Sequence, residues 1–520
     1  MNRPYDWYDQ AAVALLSDLQ GWRLRAIERV ELSSALWSER DREIYVKPMT
    51  QVMSEIDVRN KGCDWQKALA RHRTPTGNLD LVLPIAELPK IPLLDLTITV
   101  AGNPVYRIAK DEGARIEAGH VIHLGKMADV IPQKTPPHLL DFLASLFYCP
   151  SYPYQAIWER YHRFSMANFD SWMERAIHDA QYEYLASEWR QFPFDVANYY
   201  SQWRKLAQRI AKVAQGYVVQ DFLSGAENPL IALPYLFREI RKQDRGAGRT
   251  MGAGDIQLLL ELLCVALEEA DLRASRGDIA AGKFISAYFG YGYRWMAFAK
   301  CSVPIDRPFA ITLKEKRAIY FTPDSRKRMS LLEHWRKEAW QMVAFADAET
   351  NHVSVTISDT SVRLRHRPTV KDEVLRDIRN TVDEEANTFE LYLRYDSSPY
   401  RPERIYIKCP LRLTRLHSGM LWVTMAITAF GIYLLLSRGL EAVPETPARG
   451  SSLVARGLTA KDASLILVPV AFAASFLLVR DTSTLSSFIR RIRQSILLFE
   501  LFALLVIAFI FIAIYQLRAG

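Results

Sequence analysis

The stretch "RIRQSILLFELFALLVIAFIFIAIYQLRAG", residues 491–520, decides what kind of fold this chain can adopt. From Ile496 to Tyr515, twenty residues run with only Glu500 outside the apolar set. As a helix rising about 1.5 Å per residue, they match a hydrocarbon core about 30 Å thick. A chain ending this way is expected to be built around the bilayer.

Working outward, residues 419–437, "GMLWVTMAITAFGIYLLLS", carry no charge and place Trp422 and Tyr433 as interfacial anchors. Residues 464–479, "SLILVPVAFAASFLLV", are shorter and contain Pro469. They cross only with flanking residues included or in a thinned bilayer, and a re-entrant helix would read the same way. Three spans are therefore expected, at about 419–437, 462–479 and 496–515.

Orientation follows from the basic residues. Lys408, Arg412 and Arg415 precede the first span, and Arg480, Arg490, Arg491 and Arg493 precede the last. The loop between the first two spans carries its own basic residues more dilutely. The excess places the N-terminal body inside and the C-terminus outside. The first twenty residues have at most six apolar residues in succession, too few for a secretory core. The expectation is a multi-pass protein of the inner or plasma membrane with a cytosolic body.

The five cysteines, Cys63, Cys149, Cys264, Cys301 and Cys409, are dispersed, with no C-x-x-C pair, which suits reduced thiols. Residues 411–520 hold 11 Lys/Arg against 5 Asp/Glu and account for +6 of the net +8. The basic balance thus belongs to the membrane tail and gives no support to nucleic-acid binding.

The body reads as α+β. Residues 22–49 and 79–107 hold short alternating or branched runs broken by Pro, Gly and Asn, the pattern of strands. From Pro137 to about Tyr293 large residues recur at three and four, and Asp255 reads as an N-cap. Alternation returns in "HVSVTISDTSVRLRH" and "NTFELYLRYD", and "RIYIKCPLRL" leads to the first span. The expected order is a β-rich region (1–130), a helical aromatic-rich domain (131–295), a membrane-proximal β-rich domain (296–410) and a three-helix transmembrane segment (411–520). The two β-rich regions are expected to be sandwich-like and to share or stack their sheets, because separate small sheets bury too little.

The order "ERVELSSALWSERDREIYV", "LPKIPLLDLTITVAGNPVYRIAKDEGARI", a helical stretch, "FADAETNHVSVTISDTSVRLRH" and then "LLVRDTSTLSSFIRRIRQSILLFELFALL" resembles a group of uncharacterised membrane proteins common in actinobacteria. The resemblance implies a strand-rich body with C-terminal membrane helices. It implies no activity and no site residues.

Chemical motifs are sparse. The glycines of "RGAGRTMGAGD", 245–255, lack the G-K-[ST] of a P-loop and follow a charged segment instead of a strand, so a linker is the plainer reading. His120 and His123 fall on one helical turn without a carboxylate or cysteine at ligand spacing, the pattern of ordinary histidines. No catalytic, cofactor-binding or metal-ligating residues are assigned.

Three features speak of interfaces. Residues 150–205 crowd aromatics, with Trp158, Trp172, Trp189 and Trp203 as candidates for a protein-partner surface, although helical spacing favours a packed core for most of the rings. In "TLSSFIRRIRQ", Leu485, Phe488, Ile489 and Ile492 share one face while Arg490, Arg491 and Arg493 lie elsewhere. That is the pattern of a short helix in the plane of anionic headgroups, or of a plain positive-inside loop. "LKEKR", 313–317, and "SRKRMS", 325–330, could face the same lipid or form solvated loops. Glu500, one turn into the last span, is expected to reach the interface or pair with Arg493 or Arg490, or else to line a helix contact or polar path with Thr424 and Thr428.

The leading functional reading is a non-enzymatic, membrane-anchored sensor or scaffold whose cytosolic body binds a protein or ligand. An oligomeric effector or channel gated by that body is the alternative, and a membrane-associated enzyme comes third. Anionic lipid and an unidentified protein are the partners implied, and a homo-oligomer is compatible with each reading.

Overall fold

The computed structural model describes residues 6–59, 71–89, 94–148, 253–319, 337–344, 347–371, 379–383, 387–394, 404–441, 467–472 and 483–519, together with 205–206, 209–210, 212–213 and 321. The aromatic segment 150–204, most of the glycine-rich stretch and residues 325–330 lie outside the described residues.

Asp6 and Asp9 form a capping box that starts α1 (Trp7–Ser17), and α2 (Leu19–Trp22) follows. The chain then forms a hairpin of β1 (Arg23–Leu32) and β2 (Trp37–Val46), and enters α3 (Met49–Arg59). Next come β3 (Asn78–Pro89), β4 (Leu94–Val100) and β5 (Asn103–Val105), where Gly102 takes a positive φ in the tight β4–β5 turn. Among the described residues four named helices follow: α4 (Lys110–Met127), α5 (Leu139–Tyr148), α6 (Ala253–Ser275) and α7 (Ile279–Tyr293). Asp255 lies in the first turn of α6 instead of capping it, where its charge still suits the positive end of the helix.

Beyond the helices run β6 (Arg294–Pro304), β7 (Phe309–Ala318), β8 (Glu338–Ala344), β9 (Thr350–Ile357), β10 (Val362–Leu364), β11 (Thr369–Lys371), β12 (Arg379–Asp383), β13 (Thr388–Arg394) and β14 (Arg404–Leu413). Two long helices close the chain, α8 (Arg415–Glu441) and α9 (Thr484–Ala519).

The main sheet has eight strands in the order β12-β13-β9-β1-β2-β7-β4-β5. Blocks of early and late strands interleave in that order, so 1–130 and 296–410 contribute strands to one shared sheet. The physical reason is edge pairing. The β1–β2 hairpin leaves two open edges, and β9 pairs with β1 in parallel while β7 pairs with β2 antiparallel. β3 and β6 form a two-stranded sheet, and β14 gathers β8, β10 and β11.

Three apolar cores organise these layers. The first joins α4–α7 to one side of β3 and β6 through Val82, Phe142, Phe284 and Phe298. Because α4 belongs to it, the helical unit begins near residue 110, ahead of the boundary at 131 read from the sequence. The second lies between the other side of β3–β6 and the main sheet, with Leu81, Leu83, Ile44 and Ile311. α1 feeds both, burying Val13 and Leu16 in the first and Ala11 and Leu15 in the second. The third packs Val30, Val353, Val355 and Phe389 of the main sheet against Ile405, Ile407 and Cys409 of β14.

Candidate functional site

Between the second and third cores the inward face of the main sheet turns from apolar to charged. Register places Glu28 of β1 opposite Arg42 of β2, two residue pairs from Arg40 and on the same face. Glu28 accepts from Arg40 Nη1 at 3.2 Å and from Arg42 Nη1 at 3.4 Å. Asp347 receives Arg23 Nη1 and Arg42 Nη2, each at 2.5 Å. Arg23 also donates to the carbonyls of Pro84 and Ile85 on β3, at 2.7 and 3.1 Å. Arg40 Nη2 reaches Gln341 Oε1 on β8 at 2.8 Å, and Arg317 pairs with Glu315 at 2.5 Å. This belt therefore ties all three sheets together.

Burial holds the pKa of Arg23 and of Arg40 down to about 10. Burial opposes the charge of Arg42 as well, but Asp347 and Glu28 outweigh it and raise its pKa. The same balance, with Arg42 and Arg23 as the counterweight, lowers the carboxyl of Asp347. "LKEKR", 313–317, is thus no loop: it lies in β7, with Glu315 and Arg317 turned into the belt and Lys314 exposed. Every acidic and basic group named here is engaged within the protein, which makes the belt a registering device between sheets and not an open site.

The second concentration of polar groups lies where the body meets the two long helices. Val362 of β10 pairs with Leu413 at the end of β14, and after one intervening residue, Thr414, α8 begins. Ser483 caps α9: its hydroxyl accepts from the amides of Leu485 and Ser486 and donates to Asp359. Thr484 contacts Ser34 Oγ at 2.9 Å and accepts from the amide of Ala35 at 3.1 Å. The first turns of α9 are thereby held against the β1–β2 turn and the segment after β9.

This geometry corrects the headgroup-plane helix expected over 485–493. α9 is one continuous helix from Thr484 to Ala519, and Leu485 and Ile489 belong to the third core. Phe488 packs on Phe321 with ring centroids 4.4 Å apart and planes tilted by 39°, and Lys337 Nζ sits 4.1 Å from the centroid of its ring. The apolar face is covered by the body because the sheet supplies matching apolar surface. Of the arginines, Arg490 is buried, Arg491 is exposed, and Arg493 donates to Ser418 Oγ on α8 at 2.9 Å.

Among the described residues, two helices are long and apolar enough to cross a membrane, over Ser418–Ser437 in α8 and Arg493–Ile510 in α9. They pack through Leu421, Met425 and Leu497, while Trp422, Phe430, Tyr433, Phe499, Phe502 and Phe509 stay exposed. The hydroxyls of Thr424 and Thr428 bond to the carbonyls of Met420 and Thr424, at 2.8 and 3.0 Å, so their own helix uses them. Glu500 stands seven residues from Arg493, about 10 Å along the axis. Its Oε2 has no hydrogen-bond partner among the described residues, so of the two interfacial alternatives this oxygen does not take the arginine pairing. Of the expected middle span, residues 467–472 are described and are helical.

The remaining sequence candidates are placed as follows. His120 is buried in α4, its Nδ1 2.7 Å from the Tyr291 hydroxyl, and burial first, then His123 and Lys283, takes its pKa down to about 3. It is a core histidine, and no group of metal-ligating residues occurs among the described residues. Trp158, Trp172, Trp189 and Trp203 lie outside the described residues. The Ser483–Asp359 and Lys337–Phe488 contacts escaped sequence reading; the hydroxyl-rich run "DTSTLSS" before the apolar face was the one available signal.

No known protein family, curated protein or solved structure matches this chain.

Proposed function

We propose that the chain is a membrane-anchored, non-enzymatic sensor or scaffold, with a cytosolic body held by spans at about 419–437, 462–479 and 496–515. One observation carries the reading. α9 begins inside the third core, through Leu485 and Ile489, and continues without a break into an apolar segment of spanning length. β14 runs almost directly into α8 in the same way. A helix rooted in the sheet cannot shift or rotate without disturbing that core, because a close-packed interior does not deform continuously. Binding at the body and displacement of the helices are therefore linked, which suits a sensor. A channel draws less support, since the threonine hydroxyls are satisfied by their own helix.

Two measurements on the full chain test this. Extraction of membranes with alkaline carbonate should leave the protein in the pellet, and its release would overturn the anchoring. Protease added to sealed inside-out vesicles should digest the body; protection would put the body on the other side and turn the search to external ligands.

A further inference from the structure

Beside the root of α9 lies a pocket of about 220 Å³ lined by Lys337, Glu338, Arg365, His366, Pro410 and Leu411. Its frame is backbone: the amide of Arg365 donates to the Pro410 carbonyl and that of Leu411 to the Lys337 carbonyl, both at 2.8 Å. The lining is basic. Its single carboxylate, Glu338, is engaged by Lys408 Nζ at 2.7 Å, outside the lining set. Lys337 is buried against the Phe488 ring, and among the described residues no carboxylate pairs with it. Burial first and Arg491 second lower its pKa, which fits a buried cation beside another cation and without a carboxylate partner among the described residues. Arg365 and His366 are exposed at the rim, which leaves the pocket open to a ligand.

On the membrane-anchored reading, its height above the bilayer follows from α9. Phe488 precedes the apolar window starting at Arg493 by five residues, about 8 Å of helix rise. Headgroup layers occupy about 5–8 Å on each side of the hydrocarbon. With α9 spanning a bilayer, the Lys337 end of the pocket would lie at about the outer edge of the layer where phosphate groups lie.

We propose that this pocket binds a phosphate group through Lys337 and Arg365, with His366 at its rim, and that an anionic lipid headgroup or soluble phosphate supplies it. Lys337 provides the buried point charge and Arg365 the planar fork that matches phosphate oxygens. Only the lipid source rests on the membrane-anchored reading, where an occupied pocket would stiffen the root of α9 and couple headgroup composition to the body.

The test uses the full chain in detergent with two probes, phosphatidylglycerol retention followed by native mass spectrometry and inorganic phosphate binding by equilibrium dialysis. Arg365→Gln, at an exposed position, should weaken binding of the active probe about fivefold, as expected for one basic residue near a phosphate surface. Glu338→Gln should tighten it, since it removes the one negative charge of the lining and releases Lys408. Misfolding would not produce that opposite sign. Phosphatidylglycerol retention with no phosphate binding identifies the lipid source. Phosphate binding in lipid-free detergent identifies the soluble source, and holds even if carbonate extraction overturns the anchoring. Equal binding of both probes by wild type, Arg365→Gln and Glu338→Gln would overturn the site.

Discussion

His120 shows how burial converts one residue into a pH dependence. Its pKa is about 3 in the fold against 6.5 for the unperturbed group, so between those values the unfolded chain binds a proton that the native state refuses. Stability conferred by the neutral ring is present above about pH 6.5 and falls as the pH drops toward 3, by up to about 1.4 kcal/mol per pH unit. His120→Gln keeps a partner for the Tyr291 hydroxyl and removes the titration. Denaturant midpoints measured at about pH 7 and about pH 5 should therefore diverge less in the variant than in wild type. Parallel behaviour of the two proteins would show that His120 is not the group being protonated. At the same scale, periodicity announced a histidine on a helix, but nothing local told of Tyr291, 171 residues away, or of the surrounding core.

Among the elements, α9 carries two roles in one helix. Its first turns fill the third core and its later turns expose Phe499, Phe502 and Phe509. Leu485→Ala should lower the stability of the β14 sheet by about 2–5 kcal/mol through the cavity it leaves. Phe499→Ala, at an exposed position, should cost within about 0.5 kcal/mol. Heat unfolding of the detergent-solubilised full chain checks both, and equal effects would mean that α9 is only tethered to the body. The length and apolar character of this helix were legible in the sequence. Its continuity was not, because the same i, i+3, i+4 spacing serves a lipid surface and a protein core equally well.

At the scale of the whole molecule, the alternation of early and late strands in one sheet has a direct consequence. Residues 1–130 supply β1, β2, β4 and β5, yet β7 from the later region stands between β2 and β4. A fragment 1–130 expressed alone should fail to give a dispersed amide spectrum, and so should 296–410; mixing or co-expression with the intervening chain is needed to restore it. A folded isolated fragment would contradict the shared sheet. The buried belt adds to this interdependence, since Arg23, Asp347 and Pro84 come from three distant segments that must all be present for the charges to be compensated.

What the sequence by itself determined is what is local: two long apolar helices near its end, strand alternation at both sides of a helical stretch, and a basic balance concentrated in the tail. These follow from periodicity and composition, which need only a few neighbouring residues. Tertiary structure alone decided which strands pair, that Glu315 and Arg317 face inward, that the apolar face of 485–489 meets protein, and that Lys337 and Arg365 share a pocket. The reason is that pairing edges and compensating buried charge are relations between residues tens to hundreds of positions apart, and hydrophobic spacing carries no information about the partner.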